Sequence, residues 1–138
     1  MKRSPVASPA SVFVGALVAR DFERLTSTLA ADVRMRALIP PGPLELAGAT
    51  EAGAKFASWF GGAKSLELVR TGSDEVGDRL HVFYRLRVKR SGDPSSIVEQ
   101  HLFCALDDGR IAALDLVCSG FRPEQEPLTG RPPRRGRR

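Results

Sequence analysis

The sequence predicts an α+β domain, a mostly antiparallel sheet covered on one face by helices from the N-terminal half. Two observations carry this. Between residues 79 and 120, apolar and polar side chains alternate through three runs separated by turn-forming residues, the period of half-buried strands. Before residue 61, apolar residues recur mainly at helical spacing. The 138 residues make one domain, long enough for a real core. A composition of 42% hydrophobic and 27% charged residues is that of a globular chain.

Taken in order, residues 10–19 read as a helix carrying Phe13 and Leu17. Residues 21–30 read as a second, with Asp21 as N-cap and Phe22, Leu25 and Leu29 as its buried stripe. Residues 32–38 alternate Val33, Met35 and Ala37 with Arg34 and Arg36, a short strand. Pro40-Pro41-Gly42-Pro43 is a turn. Gly48 precedes a third helix, capped by Thr50, bearing Trp59 and Phe60 near its end and stopped by Gly61-Gly62. Residues 66–71 form a strand leading to the three-strand unit.

That unit opens with residues 79–90, where Leu80, Val82, Tyr84, Leu86 and Val88 alternate with His81, Phe83, Arg85, Arg87 and Lys89. Gly92-Asp93-Pro94-Ser95-Ser96 breaks the pattern. Residues 97–106 follow, then Asp107-Asp108-Gly109 as a three-residue hairpin turn, then residues 110–120. Pairing Lys89 with Glu99 sets opposite charges across the strands and aligns Arg87 with His101. Pairing Leu106 with Arg110 continues the register, placing Cys104 opposite Ala112 and Cys118 opposite Val98. One face is then nearly all apolar: Val98, Gln100, Leu102, Cys104 and Leu106 lie beside Ala112, Leu114, Leu116 and Cys118. The two cysteines fall about 20 Å apart at ~3.3 Å per residue, too far for a disulfide, so both are expected as free thiols.

The net charge of +5 belongs to the ends. Lys2 and Arg3 precede the body; Arg131, Arg134, Arg135, Arg137 and Arg138 follow it, and neither tail holds an acid. Residues 1–9 and 123–138 are expected to be disordered, flanking a folded domain over 10–122. The basic tail could attract phosphate charge, but no aromatic residue interleaves its arginines. Nonspecific contact with nucleic acid is the most it suggests, and a solubilising role is the simpler reading. Met1-Lys2-Arg3 before the apolar run 12–19 has the outline of an export signal. The run also continues into the helical pattern, and cleavage after Ala19 would remove the first helix. A cytoplasmic location is therefore expected, without a membrane span.

The order helix, helix, strand, turn, helix and four antiparallel strands resembles the nuclear-transport-factor-2-like superfamily, especially its SnoaL-like branch. Asp32 after the second helix, the proline-rich turn with Gly48, and Asp108-Gly109-Arg110-Ile111 opening the last strand carry the likeness over about residues 10–122. The resemblance implies a cystatin-like cone, a curved sheet wrapped around helices with a ligand pocket at its open end. It also implies a family of ketosteroid isomerases, polyketide cyclases, epoxide hydrolases, dehydratases and non-catalytic modules. The catalytic groups of those relatives do not carry over. The hydrolase arginine and aspartates fall on Val82, Tyr84 and Leu116, and its tyrosine and asparagine on Met35 and Ala37. The isomerase base falls on Ala37, the first helix offers Phe13 in place of a tyrosine, and a cyclase acid would need a carboxylate at Leu116 or Cys118. No catalytic residue is assigned.

What remains is a candidate pocket of Met35, Trp59, Val82, Tyr84, Gln100, Leu102, Leu114, Leu116 and Cys118. Tyr84 either donates to a ligand oxygen or is bonded within the core to Gln100. In the adopted register His81 and His101 lie on the outward face about 20 Å apart at ~3.3 Å per residue, too far to form one site. They belong instead to a surface or dimer contact with Phe83, Phe103 and Val117, and Asp115 shares that face. No metal-ligand spacing, phosphate loop or nucleophile elbow is present, so no metal or cofactor is expected. The leading expectation is a SnoaL-like pocket protein for a hydrophobic small molecule, without a recognisable catalytic set. The alternatives are a small enzyme of cyclase, isomerase or hydrolase type, using Tyr84 with Cys118 or Asp32 on a polyketide-, steroid- or terpene-like substrate, and a dimeric interaction module with a filled cone.

Overall fold

The structure, a computed structural model, describes residues 8–40 and 42–124. Helix α1 (Pro9–Ala19) starts where Ser8 accepts a hydrogen bond from the Ser11 amide and Pro9 takes a first-turn position that needs no N–H donor. It ends at Arg20, whose left-handed φ of 58° lets its amide reach back to the Leu17 carbonyl. The Arg20 side chain donates to the Ala63 carbonyl, tying the end of α1 to a distant loop. Asp21 caps α2 (Phe22–Ser27) as expected, through the Arg24 amide at 3.1 Å. This helix stops at Ser27 rather than residue 30, because Leu29 already pairs with Ile111 in the sheet.

Strand β1 (Leu29–Ile39) turns at Pro40 into β2 (Gly42–Ala47). Ile39 opposes Gly42 and Leu38 opposes Pro43, so half of the expected turn belongs to β2, a strand that the turn-forming residues concealed. Helix α3 (Ala49–Phe60) is entered from Gly48 at φ 97° with no side-chain cap. Thr50 lies inside the helix and exposed, so the expected Thr50 cap is not made. Strands β3 (Ser65–Val76), β4 (Arg79–Lys89), β5 (Ser96–Asp107) and β6 (Arg110–Cys118) form a meander, and β7 (Arg122–Pro123) pairs with β5. Helix α1 starts and β7 ends one residue outside the expected 10–122. The disorder expected of residues 1–7 and of the basic tail lies outside the described residues.

The curved, unclosed sheet runs β2-β1-β6-β5-β4-β3, antiparallel except where β1 and β6 lie parallel. Its concave face holds the core. Phe13 and Leu17 of α1, Leu25 of α2, and Phe56 and Phe60 of α3 are buried there with Val82, Leu86, Leu102, Leu114 and Leu116. Phe13 meets Phe56 edge-on at 5.2 Å, a geometry worth about 0.5–1.5 kcal/mol beyond simple burial.

Both expected registers are wrong, by four residues between β4 and β5 and by two between β5 and β6 beyond a bulge. The expected faces are observed except beside the last turn, where Ile111 is buried in place of Leu106 and Ala112. Glu99 opposes Arg85 instead of Lys89, His101 opposes Phe83 instead of Arg87, and Arg87 opposes Ile97. Arg85 and Lys89 share the convex face, so charge pairing could not choose between them. The observed register sets Val98 opposite Leu86, where both are buried. At the next turn Asp107 opposes Arg110, leaving two turn residues, Asp108 at φ 55° and Gly109 at φ 80°, the backbone of a type I′ turn. A bulge at Ala112 adds a further step. Cys104 therefore opposes Leu114 and Cys118 opposes Gln100, while Leu106 is exposed and Ala112 half-buried. Even slips keep side chains on their face, which is why the expected apolar face survives from Val98 to Cys104 and from Leu114 to Cys118. The one-residue slip beside the turn is what turns Leu106 out and Ile111 in.

Candidate functional site

The nine residues expected to line a pocket do converge, but around packed side chains. Tyr84, Gln100 and Cys118 stand in one row across β4, β5 and β6. Val82, Leu102 and Leu116 stand in the next, and Leu114 and Met35 beyond it with Cys104. All are buried except half-buried Cys118. Trp59 is half-buried on α3, edge-on to Phe56 at 5.2 Å. Phe13, at 6.4 Å from the Tyr84 ring, fills the space the row faces.

The polar members of this set satisfy one another. The Tyr84 hydroxyl donates to Gln100 Oε1 at 2.5 Å, and Gln100 Nε2 donates to Cys118 Sγ at 3.3 Å. The Gly120 amide donates to the same sulfur at 3.3 Å. A buried amide needs such partners, and no ligand is required to supply them. Burial pushes the Tyr84 phenol well up from its ordinary range. It pushes the Cys104 thiol up to about 12, keeping that thiol protonated and inert. Both cysteines are free.

The open space lies to one side. A cleft of about 550 Å³ runs between α1 and β3, floored by Val14, Val18, Leu68 and Val82. Hydroxyls of Ser8, Ser11, Thr71 and Ser73 rim it, and none of its lining residues is titratable. Of the nine expected residues only Val82 reaches this cleft; Met35 borders a separate hollow of about 360 Å³ among Arg34, Arg36, Glu45 and Glu51. Two glycines line the cleft. Gly15 sits mid-helix with nothing within 4 Å of where a side chain would begin. Gly72 lies on the opposite wall, its other side covered by the Phe83 ring, which a Cβ would meet at 2.7 Å.

The convex face carries an arrangement that the expected register excluded. His81 and His101 are in contact, Nε2 to Nδ1 at 2.9 Å, because His81 opposes Phe103 and so lies diagonal to His101. The expected 20 Å separation is overturned by the four-residue slip of β4 against β5. Their rings stack with Phe83 and Phe103 at centroid distances of 4.8–5.8 Å. Arg70 lies over the Phe83 ring at 5.4 Å. One row across the sheet reads Gly72, Phe83, His101, Val117, Leu38, with Val117 and Leu38 48% and 59% exposed. Among the described residues no group of three or more His, Cys, Asp or Glu could hold a metal ion.

With the fold and the cleft in place, comparison with known proteins is informative. Residues 11–114 match the SnoaL-like domain family. The chain belongs to that family. No curated protein matches this SnoaL-like chain. Among solved structures it is similar to a hypothetical protein of ketosteroid isomerase-like fold from Catenulispora acidiphila, in complex with trimethylamine. That pair shares 14% identity over 78% of this chain and 82% of the other, at TM-score 0.65. A candidate polyketide cyclase from Xanthomonas campestris pv. campestris gives 18%, 79%, 86% and 0.61 in the same order. A de novo designed protein with a curved β-sheet gives 16%, 87%, 89% and 0.57. At these identities the likeness shows the fold alone, and a designed protein shares it.

Proposed function

We propose that this SnoaL-like protein is a binding module for an uncharged, largely apolar small molecule held in the cleft between α1 and β3. The observation that carries the reading is the cleft's lining, an apolar floor with a hydroxyl rim and no titratable side chain. Such a surface can desolvate a hydrocarbon skeleton and orient a carbonyl or hydroxyl on it. General acid–base chemistry needs a titratable group within reach of the reacting atom. The groups an enzyme reading would use lie elsewhere. Tyr84 is committed to Gln100, Cys118 accepts from Gln100 and Gly120, and Asp32 is exposed on β1. The ring-fused and branched skeletons expected from the family, polyketide-, steroid- or terpene-like, suit a space of this size.

The test is a thermal-shift screen of neutral steroids, terpenoids and aromatic polyketides, repeated on Gly15→Leu. The expected result is a ligand that raises the Tm of the wild type and not that of the variant, which folds normally because its new side chain enters open space. A ligand that stabilises both proteins equally would place binding outside the cleft.

A second copy of this chain on the convex face is part of the same proposal. What favours it is the row from Phe83 through His101 and Val117, flanked by Phe103 and extended by exposed Leu38. No helix among the described residues is long and apolar enough to cross a membrane. A cytoplasmic location is proposed from the free thiols.

A further inference from the structure

On the convex face four side chains form an unbroken chain across three strands. Asp74 of β3 meets His81 Nδ1 at 2.9 Å, His81 Nε2 meets His101 Nδ1 at 2.9 Å, and His101 Nε2 meets Glu99 at 2.7 Å. Glu99 in turn accepts from Arg85 Nε at 2.7 Å. The two imidazoles are nearly coplanar, 9° apart, so their facing nitrogens point at one another. We propose that His81 and His101 share one proton as a singly charged pair held between Asp74 and Glu99, and that this pair makes the convex face sensitive to pH in both directions.

The reasoning is a proton count. Ionised carboxylates only accept, so the outer nitrogens, His81 Nδ1 and His101 Nε2, must both carry protons. The inner nitrogens can bond only if one carries a proton and the other a lone pair. Three protons on two rings give the pair a single positive charge. With two, either the inner lone pairs face each other or an outer lone pair faces a carboxylate. With four, two inner N–H groups collide at 2.9 Å. Only the singly charged pair satisfies all three contacts, and both acidification and alkalinisation open it.

The surroundings fit this state. Glu99 is held below the ordinary carboxylate range, first by its bond from His101 and then by Arg85, so it is an ionised acceptor near neutrality. Around the pair stand Asp74 and Arg70 on β3, Arg79 and Arg85 on β4, Glu99 on β5, and Asp115 on β6 with Arg36 of β1 bonded to it. Arg79 pairs with Asp115 at 3.7 Å and Asp78 at 3.8 Å. Closed, the pair's charge and that of Arg85 balance Asp74 and Glu99. Loss of the shared proton leaves the chain one negative charge in excess at the centre of an aromatic patch. The inference stands whether or not a second copy covers this face.

The test is ring-nitrogen NMR of the full chain labelled at histidine, followed between about pH 4.5 and 8.5, on either side of the ordinary imidazole value of about 6.5. Expected are signals from both rings moving together in two steps, with a protected ring proton between the steps. Substituting His101→Gln should leave His81 titrating in one step. Asp74→Asn, a change at an exposed position on an edge strand, should narrow the interval between the two steps. Independent single-step titration of each histidine in the wild type, unmoved by substitution of the other, would overturn the proposal.

Discussion

Two glycines inside helices show how one residue type answers to opposite demands. Gly15 in α1 looks onto the cleft and has no neighbour within 4 Å, whereas a Cβ on Gly53 of α3 would stand 2.0 Å from Thr26 Oγ1. Thr26 cannot swing aside freely, since its hydroxyl donates to the Phe22 carbonyl at 2.7 Å within α2. Gly53 is therefore what lets α2 and α3 approach. Gly15→Ala should stabilise by about 0.5–1 kcal/mol, the ordinary gain of alanine in a helix. Gly53→Ala should destabilise by about 1–3 kcal/mol through overpacking, and adding Thr26→Ala should recover most of that loss. Chemical denaturation of the four proteins checks this. Equal effects at the two glycines would mean the helices separate at no cost.

At the scale of the strand, the convex face is laced by ion pairs that bridge neighbouring elements. Arg36 of β1 bonds Asp115 of β6 at 2.8 Å across the parallel pair. Arg85 bonds Glu99 between β4 and β5, and Arg87 joins Glu67 of β3 to Glu124 just after β7. Both Asp115 and Glu99 are held below the ordinary carboxylate range, Asp115 first by its bond from Arg36 and Glu99 first by its bond from His101. A carboxyl group depressed in the folded state stabilises above its unfolded value, about 4, and loses that contribution as pH falls through the folded value. Denaturation midpoints should therefore drop on acidification below about pH 4, and Arg36→Met should make that drop shallower. An unchanged acid slope in the variant would show that Asp115 draws its depression from elsewhere. The pairs themselves are largely solvent-exposed, so their share of stability at neutral pH is small.

For the molecule as a whole, the two faces of the sheet divide the work. The concave face is packed against the helices beside the α1–β3 cleft, and the convex face carries a row of side chains from β3 to β1. The proposed second copy would cover Phe83, Phe103 and Val117. Phe103→Asp should then give a monomer by sedimentation velocity where the wild type is a dimer, because an unpaired charge at an interface centre is costly. A wild type that remains monomeric at high micromolar concentration would refute the dimer. The proposed ligand site lies on the other face, and Phe103→Asp should leave binding there unchanged.

Alternation and turn residues by themselves determined the class of fold, the meander from β3 to β6 and the faces of β4 and of β5 up to Ala105. These are local properties: a strand's period is two whatever it pairs with, and Asp108-Gly109 turns wherever it stands. Three things were decided only by the assembled structure. Register was one, since Arg85 and Lys89 offer Glu99 the same charge and the burial of Val98 opposite Leu86 separates them. That choice brought His81 to His101. Packing was the second. The concave residues from Tyr84 to Leu116 were legible as apolar and inward, but whether helices fill the space they face depends on Phe13 and Phe56, tens of residues distant in sequence. The third was the place of the cleft, which arises where α1 passes over β3 with Gly15 and Gly72 in its walls. An empty volume is left between two elements that approach from distant parts of the chain, and no stretch of sequence holds both.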